Sequence, residues 1–204
     1  MSDKFLDKSY ALDSPEAIRS HYDNWAASYD AEIAENGYAT PGRIASALKK
    51  HLPDMQSPIL DFGCGTGLSG LALRAAGFHV IDGLDPSPEM LELARAKGAY
   101  RELRQLDITD KAPVTPGTYR AIVGCGLLSK GAAPPATFDL VMRGLDRGGL
   151  FAFSYNDHAL EDRAYTGKLN DWLDCSAARL LFRDYGDHLP GINLKSTVYV
   201  IEKA

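Results

Sequence analysis

Between residues 58 and 155 the chain alternates short apolar runs with amphipathic stretches, and this alternation leaves little choice of fold. Apolar runs of strand length bounded by turn residues read as buried strands, and strands separated by helices pair in parallel with both sheet faces covered. The expected strands are residues 58–62, 78–84, 100–106, 119–124 and 150–155, with helices over 68–76, 87–97 and 135–145. Gly77 and Gly98 stand where two of these helices should stop, and Pro88 sits near the first position of the second. Residues 178–183 and 195–202 read as two further strands with no helical pattern between them, turning near His188-Leu189-Pro190-Gly191. They should close the sheet as an antiparallel hairpin. The expected fold is α/β, a doubly wound, mostly parallel seven-stranded sheet ending in that hairpin.

Upstream, Ser14-Pro15-Glu16 has the form of a helix start, and Asn36-Gly37 supplies the stop. The residues ahead of Ser14 are expected to be a mobile tail. A second helix should run from about Pro41 to His51-Leu52-Pro53, with Ile44, Ala45, Ala47 and Leu48 on one face. With 204 residues and 45% hydrophobic content there is material for one well-buried core, so a single domain is expected. Its parts are a helical segment over 1–53, a core over 54–155, and a variable segment plus hairpin over 156–204.

The formal charge of −5 opposes a surface built to neutralise many phosphates, so nucleic acid is not an expected partner. Cys64, Cys125 and Cys175 are widely spaced and form no C-x-x-C pair, which points away from a metal site and toward a reducing, cytoplasmic setting. No window approaches the roughly 20 apolar residues of a membrane span, so neither insertion nor export is expected.

The first strand leads into Asp61-Phe62-Gly63-Cys64-Gly65-Thr66-Gly67, a bend whose glycines let backbone approach a ligand closely. The dinucleotide pattern G-x-G-x-x-G is not met, because Leu68 stands where its third glycine belongs. Asp61, two residues before the first glycine, suits an amino group or bound water better than a pyrophosphate. The string from Ile59 to Gly67 resembles motif I of the class I S-adenosylmethionine-dependent methyltransferases. That resemblance implies S-adenosylmethionine as cofactor, with the turn residues Asp61, Gly63, Cys64, Gly65 and Gly67 at its methionine and ribose portions.

The resemblance extends along the strand ends. Asp85-Pro86-Ser87, about 20 residues past the glycines, matches the family's ribose-binding acid followed by a helix start, a place for which Asp82 is the rival. Met90 would cover the adenine or pack in the core. Asp107-Ile108 resembles the adenine-binding element, with a helix cap as the alternative for Asp107. Gly124-Cys125-Gly126-Leu127-Leu128 leaves the fourth strand where the family places residues nearest the transferable methyl, so Cys125 and Gly126 join the expected cofactor contacts. Tyr22, Trp25 and Tyr29 share one helical face in a segment resembling the one that precedes motif I in small-molecule methyltransferases. They would form a lid over the methionine end, or simply core. Within the family the chain is most similar to the methyltransferase-like group that includes the Williams-Beuren-region protein.

Methyl transfer needs alignment and exclusion of water more than any obligatory side chain. His158 is the histidine best placed by sequence for a base, with His21 and His188 behind it. No Asn-Pro-Pro-Tyr or Asp-Pro-Pro-Tyr string follows the fourth strand, which argues against planar exocyclic amines as acceptors, and Cys125 lacks the following proline of the cytosine C5 enzymes. The segment from Asp157 to Trp172 stands where the family varies its acceptor pocket. The expected activity is methyl transfer to a small molecule; a binding-only protein and a nicotinamide-dependent oxidoreductase are the competing readings.

Overall fold

The computed structural model describes residues 14–204 together with Phe5 and Leu12. The tail expected ahead of Ser14 therefore lies, but for those two positions, outside the described residues.

Two helices lead into the sheet. Helix α1, Pro15–Glu35, starts under Ser14, whose hydroxyl accepts from Ala17 N at 3.2 Å, and stops at Asn36 before Gly37 at φ +72. Helix α2 spans Thr40–His51. The parallel units follow as β1 (Ile59–Phe62), α3 (Leu68–Ala76), β2 (Ile81–Asp85), α4 (Pro88–Lys97), β3 (Glu102–Gln105), β4 (Ala121–Gly124), α5 (Thr137–Arg143) and β5 (Leu150–Asn156). Helices α6 (Asp157–Glu161) and α7 (Arg163–Asp174) precede β6 (Ala178–Leu189), a short 3-10 turn and β7 (Leu194–Lys203).

The seven strands lie in the order β3-β2-β1-β4-β5-β7-β6, with β7 antiparallel to both β5 and β6. The strand order reverses beside β1, where β1 pairs with both β2 and β4, and a crevice opens at the carboxyl ends of such strands. Strand alternation divides the core cleanly. Ile59, Ala121, Val123, Leu150 and Ala152 pack under α2 and α3, whereas Leu60, Phe62, Ile122, Phe151 and Phe153 pack under α5 and α7. Because both faces are covered, these strands read as nearly continuous apolar runs.

Three regions depart from expectation. Strand β2 starts at Ile81 because the N–H of Phe78 already donates to Leu73 O at 3.1 Å, closing α3 in a Schellman turn with Gly77 in the left-handed region. Strand β6 runs on to Leu189, paired with β7 through two register shifts, although its exposed polar residues carry no strand pattern. Residues 157–174 form two helices, capped by Asn156 and Asp162, that pack Tyr165 and Leu169 onto the sheet. No described helix is long and apolar enough to cross a membrane.

Candidate functional site

The turn after β1 is held by β2. Gly63 N and Cys64 N both donate to Leu84 O, at 2.7 and 3.1 Å, and Gly63, Gly65 and Gly67 all have positive φ. At Gly63 a side chain is excluded twice over, since a Cβ would also lie 2.6 Å from Leu127 Cδ1. Thr66 Oγ1 donates to Asp30 Oδ1 at 2.5 Å, while Lys97 Nζ bonds Thr66 O and pairs with Asp30 Oδ2 at 2.7 Å. Asp30 and Lys97, which sequence reasoning passed over, thus fasten α1 and α4 to the turn.

Asp85 reaches the same turn from the end of β2. Its Oδ2 accepts from Gly65 N at 2.8 Å and its Oδ1 from Ser87 N at 2.9 Å. Burial pushes its carboxyl up to about 6 in spite of both bonds. Asp82, the rival position, sits at the other end of the strand, bonded to Arg101 and Tyr119. Burial there raises the carboxyl, but those bonds outweigh it and the net shift is downward.

A cavity of about 360 Å³ opens at the sheet's switch point. It collects Tyr22, Tyr29, Gly63, Gly65, Asp85, Pro86, Ser87, Met90, Asp107, Ile108, Cys125 and Gly126, all expected site residues. Asp107 Oδ1 accepts from Thr109 N and Thr109 Oγ1, at 2.8 and 2.7 Å; the Thr109 bonds hold the carboxyl below its usual range, and no helix follows it to be capped. Arg19 and Leu140 also line this cavity without having been singled out by sequence.

Four expected residues stand outside this lining. Asp61 is fully buried on the sheet face of Ile59; its Oδ2 accepts from Ser69 Oγ at 2.5 Å and Tyr100 Oη at 2.7 Å, and Oδ1 has no partner. Burial pushes this carboxyl too up to about 6. Cys64 is buried and Gly67 begins α3, so both shape the turn from within. Trp25 lines a second, smaller cavity instead.

That cavity, about 60 Å³, shares Tyr22, Tyr29, Cys125 and Gly126 with the larger one and adds Tyr38, Ser129, Lys130, Asn156 and His188 among others. Trp25 is 1% exposed and packs edge-on against Tyr29, ring centres 4.7 Å apart. Cys125 Sγ lies 3.4 Å from Tyr38 Oη, and burial pushes its thiol up to about 12, far from thiolate chemistry. His188 is buried with Nδ1 2.8 Å from Thr40 Oγ1; burial first and Arg43 second pull its imidazole down to about 4.

His158, the histidine favoured by sequence, is exposed and lines neither cavity. The histidine at the site is His188, brought there by the length of β6. His21 packs with Tyr22 and Trp25 and also lines neither cavity. The segment from Asp157 to Trp172 is likewise absent from both linings. It is bound to α5 through Trp172 Nε1 donating to Asp139 Oδ1 at 2.9 Å and the Lys168–Asp139 pair.

Residues 59–149 match the family model described as a methyltransferase domain. Human methyltransferase-like protein 27 is 40% identical over 116 residues, covering 55% of this chain and 47% of that protein. The 18S rRNA (guanine(1575)-N(7))-methyltransferase of Saccharomyces cerevisiae is 30% identical over 125 residues, 54% of this chain and 46% of its own. The chain spans about half the length of these relatives. In fold it is similar to magnesium protoporphyrin IX methyltransferase from Synechocystis with bound S-adenosylhomocysteine, at TM-score 0.68 and 14% identity, over 94% of this chain and 100% of that one. Residues 59–149, less than half of the chain, are thus similar to a methyltransferase domain, and the chain's sheet order and glycine turn give it the fold of a solved methyltransferase.

Proposed function

We propose that the larger cavity binds S-adenosylmethionine and that the chain transfers its methyl group to a small molecule held in the smaller cavity. The observation that carries this reading is the junction of the two cavities at Cys125-Gly126, behind the aromatic face of α1. The residues fit the cofactor: Asp85 is a buried carboxylate that lines the cavity and has no cationic partner among the described residues, a setting suited to neutral hydroxyl donors such as those of a ribose. Gly63 and Gly65 let backbone come close, Met90, Asp107 and Ile108 would hold the adenine, and Tyr22 and Tyr29 would cover the methionine end. Cys64 and Gly67 preserve the turn, and Asp61 would act from beneath it.

When bound, the cofactor supplies a methyl carbon whose bond to sulfur breaks, the pair staying on sulfur, as a lone pair of the acceptor bonds to that carbon. The protein's part is to align that acceptor and keep water away. A small acceptor is favoured over RNA, the substrate in the yeast relative's name, by the net charge of −5 and a second cavity of only about 60 Å³.

Two measurements test the proposal. Calorimetry should show S-adenosylhomocysteine binding to the protein and NAD failing to bind. Incubation with labelled S-adenosylmethionine and pooled phenols, thiols, amines and carboxylates should label one pool. Binding without transfer to any pool would favour a binding-only protein, and binding of NAD alone would overturn the cofactor assignment.

A further inference from the structure

The smaller cavity is lined by hydrogen-bond donors and, among the described residues, by no Asp or Glu. Among the described residues only one direction along a buried chain of bonds gives the hydroxyl protons of both Ser196 and Thr40 an acceptor, and that direction assigns what His188 offers. Arg43 can only donate, so Ser196 Oγ accepts from its Nη1 at 3.0 Å. The hydroxyl proton of Ser196 then has Thr40 Oγ1, 3.1 Å away, as its acceptor. Thr40 in turn donates to His188 Nδ1 at 2.8 Å. With Nδ1 accepting, the neutral ring carries its proton on Nε2, the nitrogen left for the cavity. Burial keeps the ring in that neutral form.

Three further groups point the same way. Trp25 is almost wholly buried, lines the cavity, and its indole N–H, a donor only, has no partner among the described residues. Asn156 Oδ1 is taken by Ala159 N at 3.0 Å, which leaves the amide NH₂ as its available end. Lys130, exposed on the same lining, contributes positive charge. A neutral amine would find only hydroxyl and amide oxygens and no carboxylate among the described lining side chains to accept its protons, and an ammonium would meet the like charge of Lys130. Two acceptor oxygens sharing a negative charge complement this set.

We infer that the smaller cavity is a carboxylate site, and that the methyl acceptor is the carboxylate of a small organic acid. This rests on the reading of the two cavities given above. A carboxylate is ionised at neutral pH, so no side chain has to remove a proton. One oxygen is held by the donors while the other bonds to the methyl carbon as the carbon–sulfur bond breaks with its pair left on sulfur, giving a methyl ester. A site of this kind works with His188 as a donor and requires no general base.

The indole N–H of Trp25 is itself a reporter. In protein labelled with ¹⁵N-tryptophan and saturated with S-adenosylhomocysteine, sodium acetate should move the Trp25 indole resonance downfield and saturably. Sodium chloride at equal ionic strength should not. Trp172, bonded to Asp139, is the internal control, and Trp25→Phe assigns the signal. His188→Leu should weaken acetate at least fivefold and His188→Gln, which restores an N–H, should recover most of it. Lys130→Gln, an exposed change that leaves the buried chain intact, should weaken acetate at least twofold. A Trp25 signal that is silent to acetate, or that answers chloride equally, overturns the inference while leaving the cofactor reading intact. If S-adenosylhomocysteine alone moves Trp25 and acetate then adds nothing, the donors serve the cofactor's own carboxylate and the inference is likewise overturned. Failure of S-adenosylhomocysteine to bind at all would instead overturn the proposed function.

Discussion

Asp85 Oδ2 accepts from the backbone N–H of Gly65 at 2.8 Å, so the acid at the end of β2 and the glycine turn after β1 form one rigid unit. Asp85→Ala removes both the carboxylate proposed for the ribose and the acceptor that steadies the turn. S-adenosylhomocysteine affinity should fall by about 2 kcal/mol, roughly 30-fold. Asp85→Asn, which keeps one acceptor oxygen, should lose less. Titration calorimetry on the folded variants checks both, and unchanged affinity in Asp85→Ala would remove Asp85 from the cofactor site.

Burial pushes both Asp61 and Asp85 up to about 6, and this gives the unliganded protein a definite pH response. Between about pH 4 and pH 6 the unfolded carboxyls have lost their protons while the folded ones keep them. The unfolded state binds fewer protons, so stability falls as pH rises, by about 3 kcal/mol for each of the two groups. His188, pulled down to about 4, acts in the opposite sense, because its unfolded ring holds a proton that the folded one lacks. Asp61→Asn removes one acidic contribution. The melting temperature of Asp61→Asn minus that of the parent should therefore rise from about pH 4 to about pH 7, and a flat difference would contradict a carboxylate whose burial outweighs its two hydrogen bonds.

Gly70 lies inside α3, where alanine is ordinarily favoured by about 1 kcal/mol. Here the reverse is expected. Gly70 N donates to Tyr100 Oη at 3.1 Å, that hydroxyl donates to Asp61 Oδ2 at 2.7 Å, and a Cβ on residue 70 would fall onto the Tyr100 ring and hydroxyl. Gly70→Ala should displace Tyr100, strip a donor from a buried carboxylate, and destabilise the fold by about 2 kcal/mol. Urea unfolding reads the sign directly.

Trp172 tests whether the segment after β5 acts on the acceptor or only on the fold. Trp172→Phe loses the bond to Asp139, and a loss of about 1 kcal/mol in stability is expected. The affinity for S-adenosylhomocysteine and the KM for any methyl acceptor should stay within about twofold, since no residue from Asp157 to Trp172 lines either cavity. A large rise in KM would restore that segment to the acceptor site.

What could be read along the chain was whatever short-range physics encodes. Ser14 and Ser87 cap α1 and α4 as their hydroxyls demand, and Gly77 and Gly98 end α3 and α4 in the left-handed region. Helices α6 and α7 carried comparable signals in Asn156 and Asp162, yet their polar sequence resembles a loop because only Ala159, Tyr165 and Leu169 are buried. The outer half of strand β6 has no strand pattern for a similar reason. Its outer half is held by the ladder to β7 and by Arg43 donating to Asp184 O and Asp187 O, none of which leaves a hydrophobic period.

By itself the sequence determined the positions where backbone must turn left-handed, at Gly63, Gly65 and Gly67, and the acid, Asp85, that meets them from the next strand. These features lie within one strand–turn–helix–strand unit, close enough in the chain for their spacing to be read from the sequence. Which histidine lines a cavity was decided by the tertiary structure. Thr40 and His188 are 148 residues apart, and the bond between them, with Ser196 and Arg43 behind it, exists only once α2 packs on the far hairpin. That packing buries the ring and sets its Nδ1 against Thr40, and no local pattern of residues encodes either.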